Sequence, residues 1–322
     1  MIRYLSRGDV ESLDVTGAAL ADVIEQSLHA AALGMADNVP KSGVQLADGR
    51  LFQSIMAVGH GAPAPPYAAT KVVGLSPDNH AKGLPHIGSV IVLLDAETGL
   101  PAGIMDGSWI TERRTAALSL IVARRFALSG SRKIGFVACG AQARAHLSVL
   151  AEEFPLSSVT AYSRRKASAE AFAAYARDQG FDAVATIEPR RAVADQDIVV
   201  TSVPDGSEPL AFLRAEWLDD GSFAALVDLG RSWAGEGFEA IKHRIVDNRH
   251  QAEKSQKTRK FTPSGPYSHD LQEMVAGDRP WRGSENERAI FVFQGLALAD
   301  LAAAALVFEK SVSANAGTLL PK

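Results

Sequence analysis

Cysteine is almost absent from this chain of 322 residues, which has a single one, Cys139. No disulfide can form within the chain, and this suits a reducing compartment. Long apolar runs are also missing, so the sequence predicts no transmembrane helix. The N-terminal segment carries Arg3, Arg7 and Asp9 where a signal peptide needs an apolar core. We therefore expect a soluble cytoplasmic protein that has no membrane partner.

Neither sign of charge dominates, since 33 Lys and Arg against 37 Asp and Glu leave a formal net charge of −4. This balance gives no reason to expect nucleic acid or another polyanion as a partner. The eight histidines show no spacing typical of metal ligands, so we expect no catalytic metal. With 47% hydrophobic residues the chain can bury a large core, and its length predicts two domains.

The periodicity of apolar residues changes along the chain. A helix over 10–35 is followed by short strands, at 43–46, 68–73 and 89–95, and then by a helix over 111–128. Beyond it, strands and helices alternate, which is typical of a doubly wound parallel sheet. The predicted strands are 133–137, 159–162, 198–203, 224–228 and 243–246, and the helices are 142–153, 167–179, a short one near 190–194 and a buried one over 295–312.

A strand–turn–helix motif lies at 134–146. Its turn reads A-x-G-x-x-A at 138–143, where dinucleotide-binding turns usually have G-x-G-x-x-G/A. Gly140 would let the backbone approach the pyrophosphate, while Ala138 replaces the first glycine and predicts a slightly shifted turn. Cys139, at a helix start, is either a thiol of lowered pKa or simply a small residue that the turn tolerates. The motif predicts a Rossmann-type dinucleotide domain over 113–300, in an α/β protein whose second, α+β domain combines 1–112 and 301–322.

The cofactor can be narrowed from the residues about 20 positions beyond the turn. NAD-binding domains have an acidic residue there, but this chain has Ser163, Arg164 and Arg165. Guanidinium groups can hold a 2′-phosphate through bidentate, charge-assisted bonds. A solvated basic helix start is the alternative explanation. We therefore favour NADP(H) modestly over NAD(H).

Arg114 is the other cation that the pattern singles out. Thr111 can cap a helix that carries Arg114 in its first turn, where the helix dipole disfavours a positive charge. A cation in that position can be held by an anion such as a substrate carboxylate. An exposed surface arginine remains the alternative.

Four segments together resemble the ornithine cyclodeaminase/μ-crystallin family. The family patterns are T-K-x-V, D-G-x-x-[IL]-T-x-x-R-T-A-A, G-x-G-x-Q-A and F-x-S-x-G-x-A-x-x-D. The corresponding segments here are ATKVV at 69–73, MDGSWITERRTAA at 105–117, GAQA at 140–143 and IFVFQGLALAD at 290–300. Their order and spacing match over 39–300. The resemblance implies an NAD(P)-dependent enzyme that forms a homodimer through its second domain.

The resemblance also implies roles for individual residues. Lys71 and Arg114 stand where the family binds a substrate carboxylate, and Lys71 is also expected to handle protons. Lys41 replaces a family arginine, and Gly295 lies where the family brings its backbone close to the reacting centre. The remaining residues are expected to contact the cofactor: Thr115, Gly140, Ala141 and Gln142 at its phosphates, and Thr201, Ser202 and Val203 at the nicotinamide ribose.

One departure bears on the reaction. Cyclodeaminases carry an aspartate in a V-G-G-D segment, and Gly230 occupies that position here. Asp228 lies two residues earlier on the same strand face, roughly 6–7 Å away. It is either a catalytic acid or a strand-end aspartate that caps the following loop.

The expected activity is therefore reduction of a small 2-imino acid by NAD(P)H, or the reverse oxidation. Iminosuccinate and cyclic ketimines are both admissible substrates. Two alternatives stay open: an ornithine cyclodeaminase-type lyase that uses bound NAD, and a non-catalytic, crystallin-like binding protein.

Overall fold

The computed structural model describes residues 1–204, 211–257, 265–277 and 282–321. Its strands are β1 (Ile2–Leu5), β2 (Ala36–Asn38), β3 (Ser42–Gln45), β4 (Leu51–Gly59), β5 (Tyr67–Leu75), β6 (Ile87–Asp95), β7 (Pro101–Asp106), β8 (Lys133–Val137), β9 (Ser158–Tyr162), β10 (Asp182–Thr186), β11 (Ile198–Thr201), β12 (Phe223–Leu226), β13 (His243–Val246), β14 (His269–Asp270), β15 (Ala289–Val292) and β16 (Thr318–Leu320). Its α-helices are α1 (Arg7–Glu11), α2 (Gly17–Ala32), α3 (Gly107–Phe126), α4 (Ala141–Leu150), α5 (Lys166–Asp178), α6 (Arg249–Lys257), α7 (Leu271–Ala276) and α8 (Ala297–Ser313).

The chain divides into two compact units. The first combines Met1–Arg114 with Leu296–Lys322, and the second is Thr115–Gly295. The sequence-based bounds were 1–112 with 301–322, and 113–300. One boundary therefore falls inside α3, between Arg114 and Thr115.

The first unit is built on a mixed sheet with the strand order β16-β1-β7-β6-β5-β4-β2, to which β3 adds by pairing with β4. The strands from β4 to β7 form an antiparallel meander. The helices α2 and α8 contribute apolar side chains to the core, and α8 is buried along most of its length. Asn38 at the end of β2 accepts a hydrogen bond from Ala297 N (3.0 Å), so a strand residue caps the start of α8.

The second unit contains a parallel sheet with the order β10-β9-β8-β11-β12-β15-β13-β14. The order reverses on either side of β8, whose neighbours are β9 and β11. In such sheets ligands bind at the carboxyl ends of the strands beside this switch point. The predicted α/β class, with a doubly wound Rossmann-type sheet and a second domain, is confirmed.

Several predicted elements need correction. The helix over 10–35 is two helices, α1 and α2, separated by a turn. The strands β4 and β10 were not predicted at all. In β4 apolar side chains lie on both faces, for example Phe52 on the exposed face and Ile55 on the buried one, so the alternation that signals a strand is hidden.

The predicted start of the third long helix is also wrong. The helix begins at Gly107 because Asp106 Oδ1, at the end of β7, accepts a hydrogen bond from Trp109 N (2.7 Å). Thr111 is therefore an interior residue and not the cap. Arg114 lies one turn further from the helix start than expected, so the argument from the helix dipole does not apply to it.

Candidate active site

Three charged side chains meet inside the first unit. Lys71 of β5 donates a hydrogen bond from Nζ to Asp300 Oδ1 (2.8 Å), and Arg114 of α3 brings Nε to the same oxygen (2.8 Å). Lys71 also donates to Thr111 Oγ1 (3.2 Å). All three charged side chains are buried, with residue exposures of 2% for Lys71, 4% for Arg114 and 2% for Asp300. The structure thus brings together Lys71 and Arg114, which lie 43 positions apart in the sequence, as 114 − 71 shows.

Burial and neighbouring charge set the acidity of this cluster. Burial and the positive charge of Arg114 lower the pKa of Lys71 to about 8, and Asp300 offsets only part of that. Burial acts to raise the pKa of Asp300, but the charges of Arg114 and Lys71 outweigh it and the pKa is lowered. The charge of Lys41 acts on both groups, so Lys41 lies near the cluster. These four side chains carry three positive charges and one negative charge, a composition suited to an anionic ligand.

Asp300 was missed as a site residue, although a signal for it exists in the sequence. It is the acidic residue in an apolar stretch of α8 that is buried at every position from Ala297 to Ala305. A fully buried carboxylate is rare unless it is paired. The Asp of the matching tail motif could therefore have been predicted to meet a buried cation.

The dinucleotide turn has the predicted outline but an unexpected backbone. Ala138 adopts φ +75°, the left-handed region that glycine would occupy without strain. Its N–H donates to Tyr162 O (2.9 Å), which links the turn to the end of β9. The conserved geometry of the turn is therefore kept by an alanine, at a cost in backbone strain.

Replacing Ala138 with glycine should raise the free energy of unfolding by about 1 kcal/mol. The left-handed conformation costs an L-residue roughly 1–2 kcal/mol, and part of the gain is lost to the greater freedom of unfolded glycine. The same change should tighten dinucleotide binding. Urea denaturation followed by circular dichroism measures the first effect and a cofactor titration the second.

Ala151 offers a matched control, because it ends α4 with φ −69°. Glycine there should lower the free energy of unfolding by about 0.5–1 kcal/mol. Destabilisation at both positions would show that Ala138 is not strained.

The residues after this turn suit a dinucleotide. Gly140 precedes α4, whose first turn has no side-chain cap, so its backbone N–H groups form an anion site. A Cβ at Gly140 would meet no other atom within 4 Å, so the fold itself does not require glycine there. Ala141 is exposed, Gln142 half-buried and Ala143 buried. These features fit a pyrophosphate at the start of α4.

The glycine on which packing does depend is Gly135, which the sequence analysis did not single out. A Cβ there would lie 2.0 Å from Ala192 O, so only glycine lets this segment approach β8. Cys139 also differs from one of its two interpretations. Burial raises the pKa of its thiol to about 12, so it is not a thiol of lowered pKa.

The residues predicted to contact a 2′-phosphate follow β9. Ser163 is half-buried, and Arg164 and Arg165 are exposed at the start of α5. No carboxylate occurs between Ser163 and Ala169, so the feature that marks NAD-binding domains is absent from this described segment. Thr115 is buried in α3. One turn later, Ser119 Oγ lies 3.0 Å from Nε2 of His146 in α4, and burial lowers the pKa of His146 to about 4.

Asp228 and the segment 201–203 form one hydrogen-bonded group. Thr201 ends β11, and Ser202 N donates to Val137 O (3.0 Å) at the end of β8. The carboxylate of Asp228 accepts bonds from Thr201 Oγ1 (3.0 Å) and Val203 N (3.3 Å). Burial raises the pKa of Asp228. The sequence had left the choice between catalysis and loop capping open, and these contacts are those of a loop cap.

Gly295 has a partner that the sequence analysis missed. Asp247, directly after β13, accepts hydrogen bonds through Oδ2 from Gln294 N (2.9 Å) and Gly295 N (2.6 Å). Gly295 has φ +96°, so the turn requires glycine. An aspartate that follows a buried strand was the available signal, since the carboxyl ends of parallel strands share one edge of the sheet.

A model of the ornithine cyclodeaminase/mu-crystallin family matches residues 3–315. The chain belongs to this family. Alanine dehydrogenase from Archaeoglobus fulgidus is 30% identical over 322 residues, 98% of this chain and 96% of the relative. Ketimine reductase mu-crystallin from Rattus norvegicus is 29% identical over 243 residues, 74% of this chain and 75% of the relative. A solved archaeal alanine dehydrogenase dimer with bound NAD superposes with a TM-score of 0.87 at 29% identity, covering 99% of both chains.

The prediction of an NAD(P)-dependent oxidoreductase is confirmed, since members of the family that resemble this chain are dehydrogenases and reductases. Within the described ranges no three His, Cys, Asp or Glu side chains gather as metal ligands do. In the same ranges no helix combines the length and hydropathy needed to span a bilayer.

Proposed function

We propose that this oxidoreductase reduces a small 2-imino acid to an L-amino acid with NAD(P)H, or catalyses the reverse oxidation. The buried cluster of Lys71, Arg114 and Asp300 carries the proposal. Two cations that share one carboxylate, with Lys41 nearby, can bind the carboxylate of a substrate while Asp300 limits the cost of burying them. We assign substrate binding to the first unit and dinucleotide binding to the second.

Each residue of the cluster has a distinct part in this chemistry. The guanidinium of Arg114 can hold a carboxylate in a bidentate manner and so orient the adjacent C=N bond. Reduction adds a hydride to carbon and a proton to nitrogen, and the bound nicotinamide supplies the hydride. Lys71, with a pKa of about 8, is the group suited to bind the anion and to donate the proton near neutral pH.

The activity can be tested with the purified protein. Imino acids, and 2-keto acids mixed with ammonia or methylamine, are scanned for oxidation of NADH and NADPH by absorbance at both pH 7 and pH 9. We expect turnover with at least one small substrate and none with the amine or the keto acid alone. Proline formed from ornithine without added reductant would instead establish a cyclodeaminase. Absence of turnover with every substrate would reject the proposal.

We also propose that NADP(H) is modestly preferred. Changing Arg164 and Arg165 together to alanine should raise KM for NADPH about 10- to 100-fold, because charge-assisted bonds of this kind contribute about 1.5–3 kcal/mol. KM for NADH should change little. Steady-state kinetics with both cofactors make the comparison.

Arg214 serves as the matched control, because it is an exposed arginine of the same unit that pairs with Glu216. Its change to alanine should leave both KM values unaltered. Equal effects of the double variant on NADPH and NADH would contradict the preference.

We further propose that two copies of the chain associate through the exposed face of the first unit's sheet. Phe52, Val72 and Val90 lie on that face, and Val72 pairs with Ser54 on one side and Val90 on the other. Val44 and Met56 extend the apolar surface. Contiguous apolar surface of this kind is typical of an interface.

Changing Val72 to aspartate should convert the dimer to a monomer, because the charge would be buried without a partner. Light scattering after gel filtration measures the mass. The same change at Ile187, which is 69% exposed in the second unit, provides the control and should leave the dimer intact. A monomeric unmodified protein, or a Val72 variant that remains dimeric, would refute this interface.

A further inference from the structure

The carboxylate of Asp228 is saturated with hydrogen bonds. Oδ1 accepts from Thr201 Oγ1 (3.0 Å) and Gly230 N (3.2 Å), while Oδ2 accepts from Ser232 Oγ (2.7 Å) and Val203 N (3.3 Å). An ionised carboxylate offers about four lone-pair sites, and these bonds use all of them. A substrate amine or imine could bind this carboxylate only by displacing one of the donors.

The same group ties the loop after β12 to the loop after β11. Trp233 Nε1 donates to Thr201 Oγ1 (3.2 Å), and Arg231 Nε donates to Asp228 O (3.0 Å). Leu229 and Gly230 both adopt positive φ, +61° and +68°. A leucine in the left-handed region persists only where its surroundings hold it there. Asp228 is therefore the centre of a strained, well-connected turn.

A parallel arrangement occurs at the neighbouring pair of strands. Asp247, after β13, holds the backbone N–H groups of Gln294 and Gly295 after β15. In both cases an aspartate at the end of one parallel strand fixes the loop that follows the adjacent strand. This use of aspartate is therefore a recurring feature of the sheet edge and not peculiar to the turn after β12.

We propose that Asp228 is a positioning residue that holds the segment 201–203 in the conformation needed to bind the nicotinamide ribose, and that it is not an acid that reacts with substrate. The proposal rests on the proposed function only in taking this segment as part of the dinucleotide site. It also removes Asp228 as the replacement for the aspartate that Gly230 lacks, which disfavours ring closure of a diamino acid.

The test compares cofactor binding with turnover in the full-length protein. Asp228→Asn, Thr201→Val and Ser232→Ala are each titrated with NADH and NADPH by nucleotide fluorescence, and kcat is measured at saturating cofactor. We expect Asp228→Asn to weaken binding about 10- to 100-fold, with a smaller effect from each of the other two. Because the variants break shared bonds, Asp228→Asn combined with Thr201→Val should be little worse than Asp228→Asn alone.

The opposite pattern would overturn the proposal. A catalytic acid predicts that Asp228→Asn lowers kcat at least about 100-fold while cofactor affinity stays unchanged, and that Thr201→Val and Ser232→Ala behave like the parent. Thermal unfolding identifies any variant that does not fold, and the two milder variants then decide the question by themselves. Cofactor titration needs no imino acid, so this test reads out even if the proposed reaction fails.

Discussion

Replacing Lys71 with methionine should lower kcat/KM for the imino acid about 1,000-fold, within the 10²–10⁴-fold range that positioned proton donors contribute. Methionine approximately preserves the length and apolar contacts of the buried stem but removes the ammonium group, which contacts Asp300 and Thr111. Both anion binding and proton donation are lost together. Steady-state kinetics with the substrate found in the activity scan measure the effect.

The pH dependence gives a second readout of the same group. Lys71 carries its charge below its pKa of about 8, so kcat/KM should fall as pH rises through that value. Arginine at this position stays protonated, and the Lys71→Arg variant should lose the descending limb whatever its absolute activity. A limb that persists in this variant would assign the titration to another group.

Lys254, an exposed lysine of α6, supplies the control for the charge change. Its replacement by methionine should leave kcat/KM unchanged. Retention of more than about a tenth of the activity in Lys71→Met would exclude Lys71 as the proton donor.

Replacing Asp300 with alanine should lower the free energy of unfolding by about 3–5 kcal/mol, because it leaves buried cations without their shared carboxylate. Lys71 and Arg114 both contact Asp300 Oδ1 at 2.8 Å. Urea denaturation followed by tryptophan fluorescence and by circular dichroism measures the loss. Both probes are needed because a chain of two units can unfold in more than one step.

A double change separates loss of charge pairing from loss of packing. Lys71→Met combined with Asp300→Leu removes one charge of each sign and should be less destabilising than the sum of the two single changes. Glu11→Ala provides the control in the same unit, since its exposed pair with Arg7 contributes at most about 1 kcal/mol. A cost of less than about 1 kcal/mol for Asp300→Ala would show that the cluster does not depend on this carboxylate.

The parallel sheet was the most predictable part of the fold. Its strands are buried on both faces and read as short apolar runs, as at β8 and β11, and β13 was predicted with its observed bounds. The first unit was harder to predict. Exposed apolar side chains such as Phe52 hide the alternation of β4, and the polar side chain of Asp106 begins α3 earlier than the motif suggests.

The candidate site divides in the same way. The motifs identified Lys71, Arg114 and Gly140 because each lies in a short pattern of defined spacing. Asp228 was recognised, but its surroundings depend on Thr201 and Ser232, which reach it through a strand pairing that no local pattern encodes.

Local chemistry in the sequence by itself determined the family, the dinucleotide turn and the order of strands and helices along the doubly wound sheet. Only the tertiary structure decided which charges meet. Asp300 lies 229 positions from Lys71 in the chain and 2.8 Å from it in space. Likewise, the strain at Ala138 is visible only as a positive φ. Burial is the reason, because it turns a distant carboxylate into the obligatory partner of two cations, and burial is a property of the packed chain.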